Sequence, residues 1–498
     1  MSKSGVFVAM AATISGRCGC FLPVFALFLL SFVSRIVFIN KGFFHHDAIL
    51  LIEAVEQSVT QKTLVPFLDG RYALVAFHIP FYLLCLAFGL PVDLTFNILT
   101  ALLASLSVVL LYLLAMELTG DRFCAFASAL LFAITPVYFA VSTHTMAHPL
   151  SVCLILLAFY LVMLAERRPV RFFYCAAAVS LLLGISTRFP NILLIPSFLI
   201  VYFKPGFVGG RLKINKSKFS RNMISLGIPL GAGLLWLFVV QKDALVAKAG
   251  YDAFLGFFSP VLRLGVNNIL TNIGLVGCAL LLAGIGLSFR ERDKAWFVAL
   301  FLWLVVMFFF YGNVRTYADR FYSIIYPLIA TYMALSLKQV ARYSRVAAWC
   351  VLLYLTATMF YVVYPLAKDR HNYSGPKEYA LWLGQRTEPS ALVIVMDDSV
   401  FVRYYGHRRT VDHPQGSVEL AEEWAGEVKG HLRAGVPVYL MESGLSYDPG
   451  QIIRETIFRH FHLIYMGAHL TEDYHDNGKS FLQRTVYEQQ LFRLLERK

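Results

Sequence analysis

Apolar stretches of about twenty residues recur along the first three quarters of this 498-residue chain. As a helix, a stretch of that length crosses the ~30 Å hydrocarbon core of a bilayer. Hydrophobic residues make up 58% of the sequence, against roughly 45 to 50% in soluble globular proteins. The sequence therefore predicts a polytopic α-helical membrane protein. We place eleven spans at 20–39, 94–116, 122–140, 149–165, 172–187, 189–203, 222–241, 268–288, 295–311, 319–336 and 346–364.

The apolar run 71–90 is long enough to be a twelfth span. Its His78-Ile79-Pro80 sequence instead predicts a helix that enters the outer leaflet and turns back. Short loops rich in Lys and Arg remain in the cytoplasm, and eleven spans with a cytoplasmic N-terminus put most of the basic loop residues there. A twelfth crossing would move those loops outside, so the charges favour eleven. The basic loops are 166–171, 204–221, 290–294 and 338–345.

The net charge of +13 follows from these loops and does not indicate nucleic-acid binding, since no basic run is interleaved with aromatic residues in a soluble segment. The eight cysteines lie within predicted spans, in the apolar segment 71–90 or at the extreme N-terminus. Without CxxC pairs, they predict neither a disulfide framework nor a structural zinc module. The first span is interpreted as a retained signal anchor, and the protein is expected in the plasma (inner) membrane.

The composition becomes polar at about residue 366. Three short apolar segments, 391–398, 436–442 and 462–467, are typical of buried strands, and amphipathic helical segments lie before and between them. This alternation predicts a small α/β domain. We therefore divide the chain into a membrane domain, 1–365, which includes a long first outer loop at 40–93, and an extracytoplasmic α/β domain, 366–498.

His45, His46 and Asp47 follow one another in the sequence shortly after the first predicted span. Asp47 begins an amphipathic stretch that would lie along the membrane surface with its apolar side towards the lipid. An Asp at this place is also a common helix N-cap, and that alternative stays open. Arg35 near the outer end of the first span and Arg71 further along the same loop favour a half-enclosed polar site at the interface.

Other cationic and imidazole groups are expected on the same side of the membrane. Arginines at a bilayer surface usually extend to lipid headgroups, but outer turns that together supply three Arg fit a site for an anionic lipid phosphate better. His144 and His148 are four residues apart, a spacing that on a helix can hold a metal, although such histidines are more often plain surface residues. The turns contain Arg188 in the tight outer turn between the fifth and sixth spans, and Arg315 and Arg320, followed by Tyr322, at the tenth span.

This pattern resembles the GT-C superfamily of integral-membrane glycosyltransferases, in particular the protein mannosyltransferases and bacterial lipid A aminoarabinose transferases that use a polyprenyl monophosphate sugar. Many members carry Asp-Glu in the first loop, whereas here Asp47 is followed by Ala48. The second acid of that pair is therefore absent at this position. The resemblance rests on Arg35, Asp47 in a long first loop, the surface helix and Pro80 segment, Arg188, the Arg320-Phe321-Tyr322 sequence before Pro327, and a terminal α/β domain.

The resemblance implies transfer with inversion from a polyprenyl-phosphate sugar to a protein, lipid or glycan acceptor outside the cytoplasm. Arg188 and Arg320 would neutralise the leaving phosphate, and Asp47 would be the base. His46 would contact the substrate, while His45 would orient Asp47 or help to ligate a divalent metal cation, as some relatives bind one. Further substrate contacts are expected from Arg35, Arg71, Arg315 and Tyr322.

Three other functions remain as alternatives. A transporter or flippase would need charged groups near the bilayer midplane, and the predicted spans carry them near their ends. A glycoside hydrolase would need two carboxylates, for which Asp69 is the available partner of Asp47. A catalytically inactive scaffold with this architecture would differ only in an activity assay. Asp397 and Asp398 follow a predicted strand, where acidic residues usually form turns. We prefer that interpretation to a ligand or metal site.

Overall fold

The computed structural model describes residues 18–497 except 69, 168–169, 204–205, 209–210, 214–226, 238, 240–259, 292, 314–317, 373, 397, 415–416, 446–447, 449 and 474–484. Its membrane part is helical. The helices are α1 (Cys18–Val37), α2 (His46–Gln61), α3 (Tyr72–Phe88), α4 (Val92–Thr119), α5 (Arg122–Ala133), α6 (Pro136–Val141), α7 (Ala147–Arg167), α8 (Arg171–Thr187), α9 (Ile195–Phe203), α10 (Ile228–Leu237), α11 (Pro260–Ser288), α12 (Lys294–Asn313), α13 (Tyr326–Tyr343) and α14 (Arg345–Asn372).

The described helices confirm a polytopic helical protein. By length and composition, five described helical segments can cross a bilayer, and six shorter apolar helices accompany them. Predicted span 122–140 is broken into α5 and α6, because Pro136 in the first turn of α6 has no N–H to continue the helix. Short 3₁₀ helices, Phe189–Leu194 and Asp319–Ile324, precede α9 and α13. The count of eleven spans stays a prediction.

The segment 71–90 does not break at Pro80, contrary to the prediction. It forms the single helix α3, which contains Pro80 in its interior. A proline inside a membrane helix removes one backbone hydrogen bond and is tolerated when neighbouring groups compensate. Seventeen residues rise about 26 Å as a helix. This is a few ångströms short of the hydrocarbon core, and that the segment does not cross the membrane stays a prediction.

The centre of the membrane part is a continuous apolar core in which α5, α7, α11 and α13 all take part. Small side chains permit the closest approaches. At Gly284 of α11, an added Cβ would overlap the carbonyl oxygen of Tyr332 in α13. Trp296 and Trp303 of α12 are fully buried in this core. The bundle interior is therefore filled by apolar packing.

The C-terminal part contains a five-stranded mixed sheet of β3 (Leu392–Ile394), β4 (Arg409–Val411), β5 (Val438–Met441), β6 (Phe461–Asp473) and β7 (Thr485–Glu496). The strand order is β4-β3-β5-β7-β6. The prediction of an α/β arrangement is confirmed, but β4 and β7 were missed. Segment 462–467 lies in β6, an edge strand whose side chains are partly exposed, so its predicted full burial was wrong. The helices of this part are α15 (Gly375–Arg386), α16 (Ser399–Tyr404), α17 (Val418–Arg433) and α18 (Ile452–His460). A separate hairpin in the membrane part, Gly206–Val208 and Arg211–Lys213, forms β1 and β2.

The C-terminal part packs directly on the first loop. Val400 and Phe401 of α16 share one apolar cluster with Ile49 and Ile52 of α2. Helix α14 continues to Asn372, beyond the boundary placed at residue 365, and α15 begins at Gly375. This packing brings the α/β part next to the start of α2, where Asp47 lies.

Candidate functional site

Asp47 is the second residue of α2 and does not cap it. The N-cap is His45, whose Nδ1 accepts a hydrogen bond from the Asp47 N–H at 3.1 Å. The N-cap alternative for Asp47 is therefore wrong. Instead, Nε2 of His46 lies 3.1 Å from Oδ1 of Asp47, and a quarter of the Asp47 side chain is exposed. The carboxylate is oriented by an imidazole and stays accessible.

The surroundings of Asp47 favour its ionised form. Burial alone would raise the pKa of Asp47, but the hydrogen bond with His46 and the positive charge of Arg320 hold this pKa well below its usual value. For His45, burial and the charge of Arg320 keep the pKa well below 6.5. A neutral His45 is consistent with its Nδ1 acting as a hydrogen-bond acceptor. The site therefore holds an anionic carboxylate beside a neutral cap at neutral pH.

Two predicted arginines meet around Phe321. The guanidinium carbons of Arg188 and Arg320 lie 5.1 and 5.3 Å from the centre of its ring. His148 stacks on the same ring at 6.2 Å, and its Nε2 is in contact with Nη1 of Arg188. Arg188 lies between α8 and the following 3₁₀ helix, and Arg320 lies in the 3₁₀ helix before α13. Two span ends far apart in sequence thus form one cationic surface.

Arg71 lies at the same end of the molecule. It occupies the N-cap position of α3, and its guanidinium carbon is 5.4 Å from the ring centre of Phe67. The charges of Arg71 and Arg320 both act on Arg188, and that of Arg320 acts on Asp47. The structure therefore brings Arg71, Arg188 and Arg320 into one electrostatic neighbourhood with Asp47, as the sequence analysis expected of a phosphate site.

His144 and His148 do not share a helix face, so that prediction is wrong. Helix α7 begins only at Ala147, which leaves His144 in the preceding loop. The ring of His144 is 5.5 Å from that of Phe44, whereas His148 faces Arg188. The geometry does not support this pair as metal ligands.

A different trio has metal-binding geometry. Ligand atoms of His45, His46 and Asp47 lie within 4.8 Å of one another. Two imidazoles and a carboxylate are a donor set that suits a divalent cation such as zinc. The nearby positive charge of Arg320 opposes a cation at this place. The donors thus fit a divalent cation by type and spacing, while the local charge favours an anion.

Two side chains that were predicted to contact the substrate, those of Arg35 and Tyr322, are buried and pack inside the protein. Arg35 is fully buried and donates hydrogen bonds to Ser31, to Ser142 Oγ at 2.7 Å and to the carbonyl of Ala133 at 2.9 Å. It fastens α1 to the end of α5 and to the loop after α6. Tyr322 is also fully buried, with its ring packed on Phe308 and Tyr311. Neither side chain is exposed to a substrate. Arg315, Asp69 and Asp397 lie outside the described residues.

Arg370 is a site residue that the sequence analysis missed. Its guanidinium carbon is 4.0 Å from the ring centre of Phe44, the side chain is buried, and its charge acts on His144. Phe44 directly precedes His45, so Arg370 packs against the residue next to the N-cap of α2. The available signal was a basic residue six positions after the last predicted span, 346–364, at the start of the predicted C-terminal domain.

Asn97 of α4 is a second missed residue and joins the two loops of the site. Its Nδ2 donates to the carbonyls of Asn40 and Gly42 at 2.9 and 3.0 Å. Its Oδ1 accepts from the N–H and the hydroxyl of Thr145, both at 2.7 Å. One buried amide thus connects the loop before Asp47 to the loop that contains His144.

Replacing Asn97 with Ala is expected to lower the free energy of unfolding by about 2 to 4 kcal/mol, because several buried polar groups lose their partner. The matched control is Ser105→Ala on the same helix, where a buried hydroxyl bonds only within its own helix, to Ala101. Thermal unfolding of the purified protein in lipid measures both. Equal midpoints for the two variants would contradict the joining role of Asn97.

Comparison with known proteins supports this architecture. A family model described as dolichyl-phosphate-mannose-protein mannosyltransferase matches residues 78–236. No curated protein matches the sequence. Among solved structures, ArnT from Cupriavidus metallidurans bound to undecaprenyl phosphate has a TM-score of 0.60 at 10% identity, over 96% of this chain and 98% of ArnT.

Two further structures share the fold. The oligosaccharyltransferase AglB from Archaeoglobus fulgidus, in complex with an inhibitory peptide and a dolichol-phosphate, has a TM-score of 0.55 at 12% identity, over 93% of this chain and 74% of AglB. The arabinofuranosyltransferase AftD from Mycobacteria has a TM-score of 0.57 at 16% identity, over 94% of this chain and 41% of AftD. The family model covers about a third of the chain, and the three solved structures, at 10 to 16% identity, show that the chain shares their fold.

Proposed function

We propose that this protein is an inverting glycosyltransferase that moves a sugar from a polyprenyl-phosphate donor to an acceptor on the extracytoplasmic side of the membrane. The observation that carries the proposal is the juxtaposition of Asp47, accessible and ionised, with Arg71, Arg188 and Arg320 at one end of the helical bundle. An anionic base and a cationic surface are the two groups that this reaction requires.

The arginines suit the leaving group. As the bond between the anomeric carbon and the phosphate oxygen breaks, negative charge accumulates on the phosphate, and fixed cations lower the energy of that transition state. Arg188 and Arg320 are held against Phe321, so their guanidinium groups are positioned before the donor binds. Guanidinium groups also match phosphate oxygens in a bidentate manner. With the phosphate neutralised in this way, departure needs no general acid.

Asp47 suits the acceptor. Its carboxylate would accept the proton of the acceptor hydroxyl or amine while that group attacks the anomeric carbon from the face opposite the phosphate, which inverts the configuration. His46 holds Oδ1 of Asp47, and its half-exposed ring is available to contact the sugar. A divalent cation held by His45, His46 and Asp47 would add charge stabilisation at the same place.

The supporting evidence for the donor class comes from proteins with this fold. The ArnT structure contains undecaprenyl phosphate, and an AglB structure contains a dolichol-phosphate. For this chain the corresponding expectation is a polyprenyl monophosphate sugar, with the isoprenoid tail in the bilayer beside the bundle and the sugar at headgroup depth. The acceptor class, whether protein, lipid or glycan, is left for the transfer experiment to identify.

We also propose that the N-terminus faces the cytoplasm of a plasma (inner) membrane, with 1–365 as the catalytic membrane domain and 366–498 outside. The ends of two helices support this orientation. At its C-terminal end α4 presents Glu117, which pairs with Arg167 at the C-terminal end of α7. The opposite ends of the same helices present Asp93 and His148 beside the site. The basic residue at the far end, Arg167, agrees with a cytoplasmic location there.

The test is transfer by the purified full-length protein in lipid. Pools of radiolabelled sugars are supplied on a polyprenyl monophosphate, on a polyprenyl pyrophosphate or on a nucleotide, each with protein, lipid and glycan acceptor fractions. We expect label to leave only the monophosphate pool, and the product to have the inverted anomeric configuration. Turnover of only the pyrophosphate or nucleotide pool would refute the donor class. Inactivity with every pool would favour the scaffold alternative.

A further inference from the structure

We propose that Lys377 and Tyr405 of the C-terminal α/β part are positioning residues that set the location of Asp47 through Asp93 and the backbone of the first loop. This inference rests on the proposed transferase function. We use the term Asp93 cluster for Asp93, Lys377 and Tyr405. The sequence analysis singled out none of these residues, because Asp93 is 284 positions from Lys377 and 312 positions from Tyr405 along the chain.

The Asp93 cluster joins three parts of the molecule. Nζ of Lys377 lies 2.8 Å from Oδ2 of Asp93, and the hydroxyl of Tyr405 donates to the same oxygen at 3.1 Å. Asp93 is in the first turn of α4, whereas Lys377 lies in α15 and Tyr405 follows α16. A carboxylate of the membrane part is therefore shared by two side chains of the α/β part.

Both side chains also hold the backbone that leads to Asp47. The hydroxyl of Tyr405 accepts the N–H of Phe43 at 2.8 Å, and Lys377 Nζ donates to the carbonyl of Lys41 at 2.9 Å. Burial raises the pKa of Tyr405, so its hydroxyl keeps the proton that it donates to Asp93. From Phe43 the chain runs two residues to the His45 cap.

Packing leaves this loop little room to move. Phe43 is fully buried, with its ring 5.7 and 6.5 Å from the rings of Tyr404 and Tyr405. A Cβ at Gly42 would lie 2.6 Å from Cδ of Lys377, so the backbone passes directly beneath the lysine. Asn97, one helical turn from Asp93, holds the Gly42 carbonyl from the other side. The loop is therefore clamped between α4 and the α/β part.

The expected effect follows from how strongly transfer depends on geometry. A displacement of about 1 Å in a reacting group can cost about a hundredfold in rate. The loop 41–43 holds the start of α2, whereas Arg188 and Arg320 are on other span ends. Loosening the loop should therefore lower kcat by about 10- to 100-fold and leave the KM for the donor within about threefold.

The experiment compares Tyr405→Phe and Lys377→Met with the wild type in the full-length protein. Lys377→Arg is the conservative variant and should recover part of the lost kcat, since the charge on Asp93 is still matched. The matched control is Arg433→Met, which breaks an exposed ion pair with Glu496 inside the α/β part. Hydrogen exchange of the peptide that contains 41–47 and the thermal unfolding midpoint are measured for every variant.

Faster exchange in the 41–47 peptide with a selective fall in kcat, both absent from Arg433→Met, would support the proposal. An unchanged kcat in Tyr405→Phe and Lys377→Met would overturn it, as would an equal loss in the Arg433 control. If the wild type transfers no sugar, the proposed function fails, but the exchange measurement still decides the contact: unchanged exchange in Tyr405→Phe overturns the inference, and faster exchange confined to 41–47 supports it.

Discussion

Replacing Asp47 with Asn is expected to lower kcat for sugar transfer by about a hundredfold or more, because the variant loses the group that accepts the proton of the acceptor. Asn has nearly the same shape as Asp and can still bond to His46, which lies 3.1 Å from Oδ1. Donor binding should therefore change little. The measurement is single-turnover transfer under saturating donor, together with the donor KM.

The control for Asp47→Asn is Glu53→Gln, which removes a carboxylate from the same helix on the side that faces Arg403. Its kcat should stay within about twofold of the wild type, as for a typical exposed ion pair. A transfer rate for Asp47→Asn equal to that of the wild type would show that Asp47 is not the base.

The pH profile gives an independent check on Asp47. Because its pKa is held below the usual value, the base stays ionised as the pH falls and is protonated only at more acidic pH than an ordinary Asp. We therefore expect no acid limb in kcat/KM between about pH 5 and 8 from this group. His45 gives none either, since its pKa lies well below 6.5.

Replacing Arg320 with Gln is expected to lower kcat/KM by about 100- to 1000-fold, because a fixed cation no longer stabilises the departing phosphate. Arg320 also acts on Asp47, whose pKa its charge lowers. Removing that charge raises the pKa of Asp47 only towards its usual acidic value, so the base remains ionised at pH 7. The loss at neutral pH can therefore be assigned to the phosphate. It is measured as steady-state transfer at pH 7.

Two further variants define the role of Arg320. Arg320→Lys keeps the charge without the planar fork, so we expect an intermediate loss. Arg171→Gln removes an exposed arginine at the other end of α8 and should leave kcat/KM within about twofold. If Arg320→Gln matched that control, the phosphate would have to be held by other groups, and the proposed role of the Phe321 arginines would be rejected.

Much of the fold was predictable because hydropathy is a local property of the sequence. Helices α1, α4, α7, α11, α12 and α14 coincide with runs of about twenty apolar residues, and a chain in lipid must satisfy its backbone hydrogen bonds within each such run. The α/β character of the C-terminal part was also local, because short strands alternate with amphipathic helices. The missed strand β7 pairs with β5, a contact that local pattern does not encode.

The site was predictable only in part. Asp47 and His46 are neighbours in sequence, so their contact follows from the start of one helix. Arg35 looked like a surface cation because it lies at a span end, but the fold buries it against Ser142, 107 positions away. Tyr322 was placed at a site by its neighbours in the sequence, and the bundle packed it inside instead. Whether a polar side chain at a span end is exposed depends on what packs over it.

By itself, the sequence determined that this is a polytopic helical membrane protein with an acidic residue soon after its first apolar helix, since apolar length and residue order settle such features. Only the tertiary structure decided which cations lie near Asp47. Arg320 acts on Asp47 and meets Arg188 around Phe321. The two arginines come from separate span ends, and packing alone brings those ends together. The same holds for Asp93, Lys377 and Tyr405, whose hydrogen bonds exist only once the α/β part has docked on the first loop.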